Sequence, residues 1–326
     1  MDLIEAIGQL DSSSKTLPKR EVESARMLVE KGPVANGRFP SSLGAIKHAS
    51  SLLFTPDVRP ENLVNLLLSD PVMVIRLLSL VNHSFYNRGQ KITVMNRAIT
   101  HVGLMSLGKV LEDLGDAKSF SAVFLGRATS AIELQKTILS SFIAKAIIPL
   151  FDKKPELTEK AASTAALSGL VPLLLSYFKP NIHCGISLEA EASKNLKYPK
   201  IIRKVFGDSV TDIAAKMAAE LGLPEDYANY MLLSDLPPWN RRSWGQKSAQ
   251  ETRMIVSSSY LGRHLAESLA LFEPRNIFHK TLKDTALKLH IKYEDLEPRV
   301  AEAVVEYFQV MAQVGIKAFR LPSHYY

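Results

Sequence analysis

The amino-acid sequence predicts an all-α protein, because helix-forming patterns follow one another along almost the whole chain. Prolines stand where helices would begin, capping residues precede several of them, and glycines follow apolar runs where helices would end. Only residues 91–94 suggest extended backbone, and that segment is too short to build a sheet.

Composition sets the broad class of the protein. The chain has 326 residues, of which 46% are hydrophobic, so it can bury a sizeable core. The longest apolar run, residues 170–175, is far shorter than the roughly 20 residues of a membrane-spanning helix. The first residues carry acid where a secretory signal carries base. We therefore expect a cytoplasmic protein without a membrane partner.

Cysteine content and charge exclude further classes. Cys184 is the only cysteine, which rules out an intrachain disulfide and any multi-cysteine metal site. The net charge of +7 permits acidic partners, although a solvated basic surface is the commoner reason for such a charge.

Two helix starts are predicted with particular clarity. Pro60 and Pro71 each suit the first turn of a helix, where no amide partner is needed, and Asp70 can cap the second helix. Residues 72–81 are apolar on nearly every side, which predicts a core helix. Asn82 stands where a left-handed residue would end it.

Later segments repeat these patterns. Asp208 or Ser209 can cap a helix that runs to Leu221, with Gly222 beyond its end. Capping-box spacing at residues 248–251 precedes another helix, which reaches about Leu271. Further helices are predicted over residues 131–150, 158–178 and 294–314.

Breaks in the pattern divide the chain into three regions. Glycine, proline and asparagine cluster near residues 32–37, and a second break covers residues 236–243. We predict an N-terminal helical extension over residues 1–38, a helical body over residues 39–235, and a C-terminal helical section over residues 236–326 that packs on the body.

Residues 39–114 carry a series of spaced landmarks. These landmarks are Pro40, Asp57, Asp70, Pro71, Asn82, Phe85, Tyr86, Ile92, Ala98, Ile99 and Gly103. Their order resembles the HDOD family, the HD-related output domain of bacterial signalling proteins. His83 departs from the resemblance, because the family usually has serine there. The resemblance implies an HD-domain-like multi-helix bundle in signal transduction, with the motif residues in structural roles.

The related HD phosphohydrolases imply a metal site that this chain lacks in sequence. Their histidines and His-Asp dipeptide bind a divalent cation that activates water. Here no His-Asp dipeptide occurs, and residues 137–146 contain no histidine. Pro172, Leu173 and Ser209 stand at the other ligand positions, and proline and leucine cannot coordinate a cation. We expect no catalytic, cofactor-binding or metal-binding residues.

Relocated ligands remain an alternative. His183, beside Cys184, is the only histidine between Phe120 and Tyr260, and we interpret it as a polar loop residue. If it held a metal, the protein would be a divergent metal-dependent phosphohydrolase acting on nucleotides or cyclic dinucleotides. The carboxylates show no pair that the sequence forces into an apolar site.

One basic run is a candidate anionic-ligand patch. Its three-residue spacing would gather charge on one helix face, although a solvated surface explains it equally simply. The dense aromatic interleaving of single-strand binders is absent, which argues against nucleic acid, although a nucleic-acid-binding regulator stays a second alternative. The patch comprises Lys194, Lys197, Lys200, Arg203 and Lys204.

The favoured hypothesis is a non-catalytic signalling and regulatory module with a degenerate metal site. It would act through contacts with signalling proteins in trans, since no receiver or cyclase segment is attached. A nucleotide or cyclic dinucleotide is the candidate small ligand.

Overall fold

A computed structural model describes most of the chain. The described residues are 20, 23–25, 27, 42–83, 89, 91–116, 128–192, 198–234, 237–239, 250–271, 273–316 and 318. Within them the backbone forms fifteen α-helices and one short 3₁₀ turn, and no strand. The all-α prediction is confirmed.

Five helices lie within the described part of residues 43–116. They are α1 (Leu43–Leu53), α2 (Pro60–Leu68), α3 (Pro71–Asn82), α4 (Met95–Val102) and α5 (Leu104–Asp116). The following helices are α6 (Ala128–Ile147), α7 (Pro155–Ser168), α8 (Leu170–Phe178), α9 (Pro180–Ala192), α10 (Tyr198–Phe206), α11 (Val210–Glu220), α12 (Glu225–Leu233), α13 (Gln250–Ala270), α14 (Arg275–Leu289) and α15 (Tyr293–Gln313).

The predicted helix starts are present. Pro60 and Pro71 open α2 and α3, and the Asp70 carboxylate accepts the Val72 amide at 2.8 Å. The other oxygen of Asp70 accepts the Ser42 amide at 2.6 Å, so this buried carboxylate fixes the start of α1 as well. Ser209 caps α11 in a capping box with Asp212.

Asn82 does not end α3 in the left-handed conformation that its position suggested. It is the last helical residue, and His83 after it is extended. The Asn82 side chain instead clamps the returning chain: its oxygen accepts the Ile92 amide at 2.9 Å, and its amide donates to the carbonyls of Leu78 and Ile92 at 2.8 Å each. Because the carboxamide bonds both chain segments, no left-handed turn is needed.

The single helix predicted over residues 158–178 is wrong, because the chain forms α7 and α8 with Gly169 between them. Pro172 has no amide hydrogen to donate to the carbonyl four residues earlier, so the helix cannot run through unbroken. A Cβ at Gly169 would lie 2.5 Å from the Thr137 hydroxyl oxygen. The glycine thus permits a close approach to α6.

Helix α6 lies at the centre of the helical body. It packs against α7, α13 and α15, and the C-terminal helices share one continuous hydrophobic core with the rest. Lys145 on α6 links it to α2 and α15 by bonding Asn65 at 2.8 Å and Glu306 at 2.5 Å. At the N-terminal side, Ala25 is buried and Ser24 accepts a bond from Lys179 at 3.0 Å.

Among the described residues, one stretch, Pro155–Phe178, is long and apolar enough to cross a membrane by length and composition alone. Within it, 78% of the most apolar window is buried inside the protein. The same length and hydropathy are expected of a core helix, and α7 packs on α6 and α13 in this way.

Several predictions fall outside the described residues. Among the landmarks these are Pro40, Phe85 and Tyr86, and in the basic run they are Lys194 and Lys197. Ser248, at the predicted capping box before α13, also lies there. Of the other landmarks, Ala98 and Ile99 are fully buried, and Gly103 ends α4 with a φ of 78°.

Candidate functional site

A cavity of about 100 Å³ lies beside α6 where α8, α10 and α13 meet it. It is several-fold smaller than the roughly 300–1,000 Å³ of a pocket for a drug-sized ligand. Its lining mixes charged, hydroxyl and apolar groups. The lining residues are Glu133, Lys136, Thr137, Ser140, Ser168, Gly169, Pro172, Tyr198, Pro199, Val210, Arg263 and Glu267.

Two glycines determine how closely the walls approach α6. Gly262 on α13 faces the carbonyl of Ser140, which a Cβ would meet at 2.3 Å. Gly169, at the junction of α7 and α8, faces the side chain of Thr137. The close approach at Gly262 brings Arg263 and Glu267, which follow it on α13, to the cavity.

The α6 wall carries an ion pair. Lys136 Nζ lies 2.9 Å from Glu133 Oε1, and the side chains are 22% and 12% exposed. Burial would raise the pKa of Glu133, but the charge of Lys136, together with the neighbouring His183 side chain, outweighs burial and lowers the pKa to about 2. Burial would likewise lower the pKa of Lys136, but Glu133 and Glu267 raise it above the ordinary value. Both groups are therefore charged at neutral pH.

His183 lies in helix α9 and not in a loop, so the loop interpretation is wrong. Pro180 starts this helix after α8 ends at Phe178, and the helix carries His183 into the interior, where it is 3% exposed. Its Nε2 is 3.6 Å from Glu133 Oε1, which is too long for a hydrogen bond. Its ring centroid lies 5.4 Å from that of Tyr198, with the two rings tilted by 51°.

Tyr198 begins α10 and is one of the residues that line the cavity. The hydroxyl oxygen is buried and has no hydrogen-bond partner among the described residues. Burial, together with Glu133 and Glu267, raises the pKa of Tyr198 well above its usual value. The phenol is therefore a neutral group with a proton to donate.

Helix α13 supplies the remaining charged groups. Arg263 donates a hydrogen bond to the backbone carbonyl of Ser234. The Ser234 hydroxyl in turn lies 3.3 Å from the hydroxyl of Ser168. The Glu267 carboxylate is partly buried and makes no ion pair with any described cation within 4.0 Å. Its charge is nevertheless close enough to raise the pKa values of Lys136 and Tyr198.

The positions compared with metal ligands fall around this cavity. Thr137 and Ser140, from the segment without histidine, line it, and so does Pro172. Leu173 is fully buried in the core, and Ser209 caps α11 beside the lining residue Val210. Among the described residues, no three histidine, cysteine, aspartate or glutamate side chains form a group able to hold a metal ion.

The described part of the basic run is exposed and paired with acid. Arg203 lies 3.6 Å from Asp212, and Lys204 lies 3.3 Å from Glu189. Lys200 is also exposed. Pro199 lies in the first turn of α10 and does not interrupt that helix. Partial neutralisation of this kind is typical of a solvated surface.

Comparison with protein-family models decides the family. The model of the HDOD domain matches residues 39–237, more than half of the chain. The chain belongs to the HDOD domain family. The match ends before α13, so this HDOD protein lines its cavity partly with residues beyond the matched region, Arg263 and Glu267.

Solved structures show the same fold as this HDOD protein. The MmoQ response regulator of Methylococcus capsulatus is 16% identical, with a TM-score of 0.58 over 80% of this chain and 97% of the other. A virulence factor of Campylobacter jejuni is 15% identical, with a TM-score of 0.59 over 87% and 99%. No curated protein matches the chain significantly.

Sequence reasoning missed most of the cavity's charged residues. Glu133, Lys136, Thr137 and Ser140 recur at helical spacing, which places four polar groups on one face of the helix. That spacing was the available signal for the α6 wall. Glu267 and Tyr198 had no such signal, because only tertiary packing brings them to α6.

Proposed function

We propose that this HDOD protein is a non-catalytic signalling module, whose cavity is a degenerate form of the metal site of HD phosphohydrolases. The observation that carries the proposal is the Glu133–Lys136 ion pair at 2.9 Å in the cavity wall. A divalent cation needs anionic or neutral ligands around it. Here the buried carboxylate already faces an ammonium, whose positive charge would repel the cation.

The wall residues also support the proposal. Hydroxyls, a proline and a valine line the cavity. The sequence resemblance equates these positions, or their neighbours, with those where the hydrolases carry histidine and aspartate. Without several strong ligands a metal cannot be held firmly enough to lower the pKa of a bound water. Hydrolysis by the family's mechanism would therefore have no nucleophile.

Signalling is proposed from the family and not from any bound molecule. The family resemblance implies bacterial signal transduction, and one structural neighbour is a response regulator. Because fold likeness does not establish function, the partner stays a proposal: a signalling protein in trans, met in the cytoplasm.

A hydrolysis assay tests the proposal. Purified protein would be incubated with Mn²⁺, Fe²⁺ or Zn²⁺ and with nucleoside phosphates, a cyclic dinucleotide or bis-p-nitrophenyl phosphate, beside an active HD phosphohydrolase as positive control. We expect no phosphoester cleavage above the rate without protein. Metal-dependent cleavage that disappears in Glu133→Gln or His183→Ala would overturn the proposal and establish relocated ligands.

A further inference from the structure

The cavity retains polar groups that have no partner within the described part of the chain. The Tyr198 hydroxyl is buried and unbonded there, and the Glu267 carboxylate has no ion pair there. Lys136 has three N–H donors, and among the described residues it makes one side-chain bond, to Glu133. Buried polar groups normally find partners, because leaving them unpaired costs free energy. Their concentration around one cavity indicates a place for a ligand.

Charge and volume define the ligand's class. Glu133 and Glu267 contribute two negative charges and Lys136 and Arg263 two positive charges, so the lining has no net charge. A ligand with a net charge would leave one of these side chains uncompensated in a poorly solvated place. The cavity of about 100 Å³ can take a few water-sized groups, which favours a ligand much smaller than a nucleotide.

The positions of the donors and the acceptor narrow the class further. The unused donors are on Lys136 and Tyr198, at the side of the cavity made by α6 and α10. The unpaired acceptor is Glu267 on α13. A small molecule that carries both an anionic and a cationic group would satisfy all three, whereas a simple anion would leave Glu267 unpaired.

We propose that this cavity binds the zwitterion of a small α-amino acid, with its carboxylate accepting from Lys136 Nζ and the Tyr198 hydroxyl and its ammonium donating to Glu267. Apolar Pro172 and Val210 leave room for a short side chain only. The inference rests on the proposed function, since a cavity that held a catalytic cation would not accept an ammonium group. It adds a small-molecule input to the proposed signalling module.

Thermal-shift and calorimetric titrations of the full chain test the inference. The probes are glycine, L-alanine and L-serine, compared with acetate and methylammonium, which each carry half of the zwitterion. We expect saturable stabilisation by at least one amino acid and none by acetate or methylammonium at equal concentration and ionic strength. Equal stabilisation by acetate, or none by any of the three amino acids, would overturn the inference.

Two variants locate the binding. Tyr198→Phe and Glu267→Gln remove groups that have no partner among the described residues, so both variants are expected to fold. Each should weaken amino-acid binding by about tenfold or more. Tyr227→Phe and Glu220→Gln are matched controls, because the Tyr227 hydroxyl bonds Thr93 elsewhere and Glu220 is exposed. Binding that survives in both cavity variants would contradict the inference.

Repeating the titration with EDTA and with Mn²⁺ separates the two proposals. Amino-acid binding that is equally tight with EDTA and with Mn²⁺ supports both the inference and the non-catalytic function. Absence of binding under both conditions rejects the inference and leaves the non-catalytic function intact. Binding that requires Mn²⁺ would reject the non-catalytic function as well.

Discussion

Asp70 and Glu133 are both largely buried carboxylates, yet the structure gives them different surroundings. Asp70 accepts the amides of Ser42 and Val72, so it fixes the starts of two helices. Glu133 lies in the middle of a helix, where no backbone amide needs it, and faces Lys136 and the cavity. The first carboxylate is required by local structure and the second is not.

The difference separates the scaffold of this protein from its site. In the α1–α4 region, the side chains of Asp70 and Asn82 form hydrogen bonds with backbone groups. Because these bonds hold the helices and the connecting chain in place, they explain why the family's landmarks occur in this region. Around the cavity, Tyr198 and Glu267 keep polar groups unpaired among the described residues. Groups that cost stability and stabilise no element are expected where a protein binds something.

The largest effect is expected at the scaffold. Asp70→Ala removes the acceptor of two buried amides and the cap of α3, so the free energy of unfolding should fall by about 3–5 kcal/mol. Chemical denaturation would measure it. Asp113→Ala, at an exposed position on α5, is the control and should change stability by about 0.5 kcal/mol or less. Equal losses in the two variants would refute the assigned role.

A smaller effect is expected at the ion pair. Glu133→Ala leaves the Lys136 ammonium mostly buried without its counter-ion, which should cost about 2–3 kcal/mol after allowance for partial exposure. The double variant Glu133→Leu with Lys136→Met should recover most of that loss, because two apolar side chains need no counter-ions. If the double variant is as unstable as the single one, packing rather than charge explains the loss.

The ion pair also predicts a pH dependence. The folded-state pKa of Glu133, about 2, lies below the ordinary value of 4.5, so its contribution to stability is present above pH 4.5. It is lost as the pH falls from about 4.5 towards 2. The stability difference between wild type and Glu133→Gln should therefore narrow over that interval. A constant difference between pH 7 and pH 2.5 would show that the carboxylate titrates normally.

The smallest effects come from a pair of tyrosines. The Tyr227 hydroxyl donates to the Thr93 carbonyl at 2.6 Å, and Tyr227→Phe should cost about 1 kcal/mol. Tyr198→Phe removes a buried hydroxyl without a partner among the described residues, so it should cost nothing or stabilise slightly. Thermal denaturation would compare the two variants. An equal loss of stability in both would show that the Tyr198 hydroxyl has a hydrogen-bond partner.

Much of the fold followed from the sequence because its signals are local. The caps at Asp70 and Ser209, and the prolines that open α2 and α3, act within one helical turn. The break at Gly169 was missed because apolar periodicity continues through it. The cavity was missed for a different reason: Glu133, Tyr198 and Glu267 come from three helices, and their proximity depends on glycine contacts between distant parts of the chain.

The most direct test of the central claim is the metal content of the purified full chain. Protein expressed in medium supplemented with iron, manganese and zinc would be desalted without chelator and analysed by elemental mass spectrometry, beside a metal-binding HD phosphohydrolase. An ammonium–carboxylate pair in the cavity predicts far less than one metal ion per chain. One ion per chain, retained on desalting and lost in Glu133→Gln, would contradict the account.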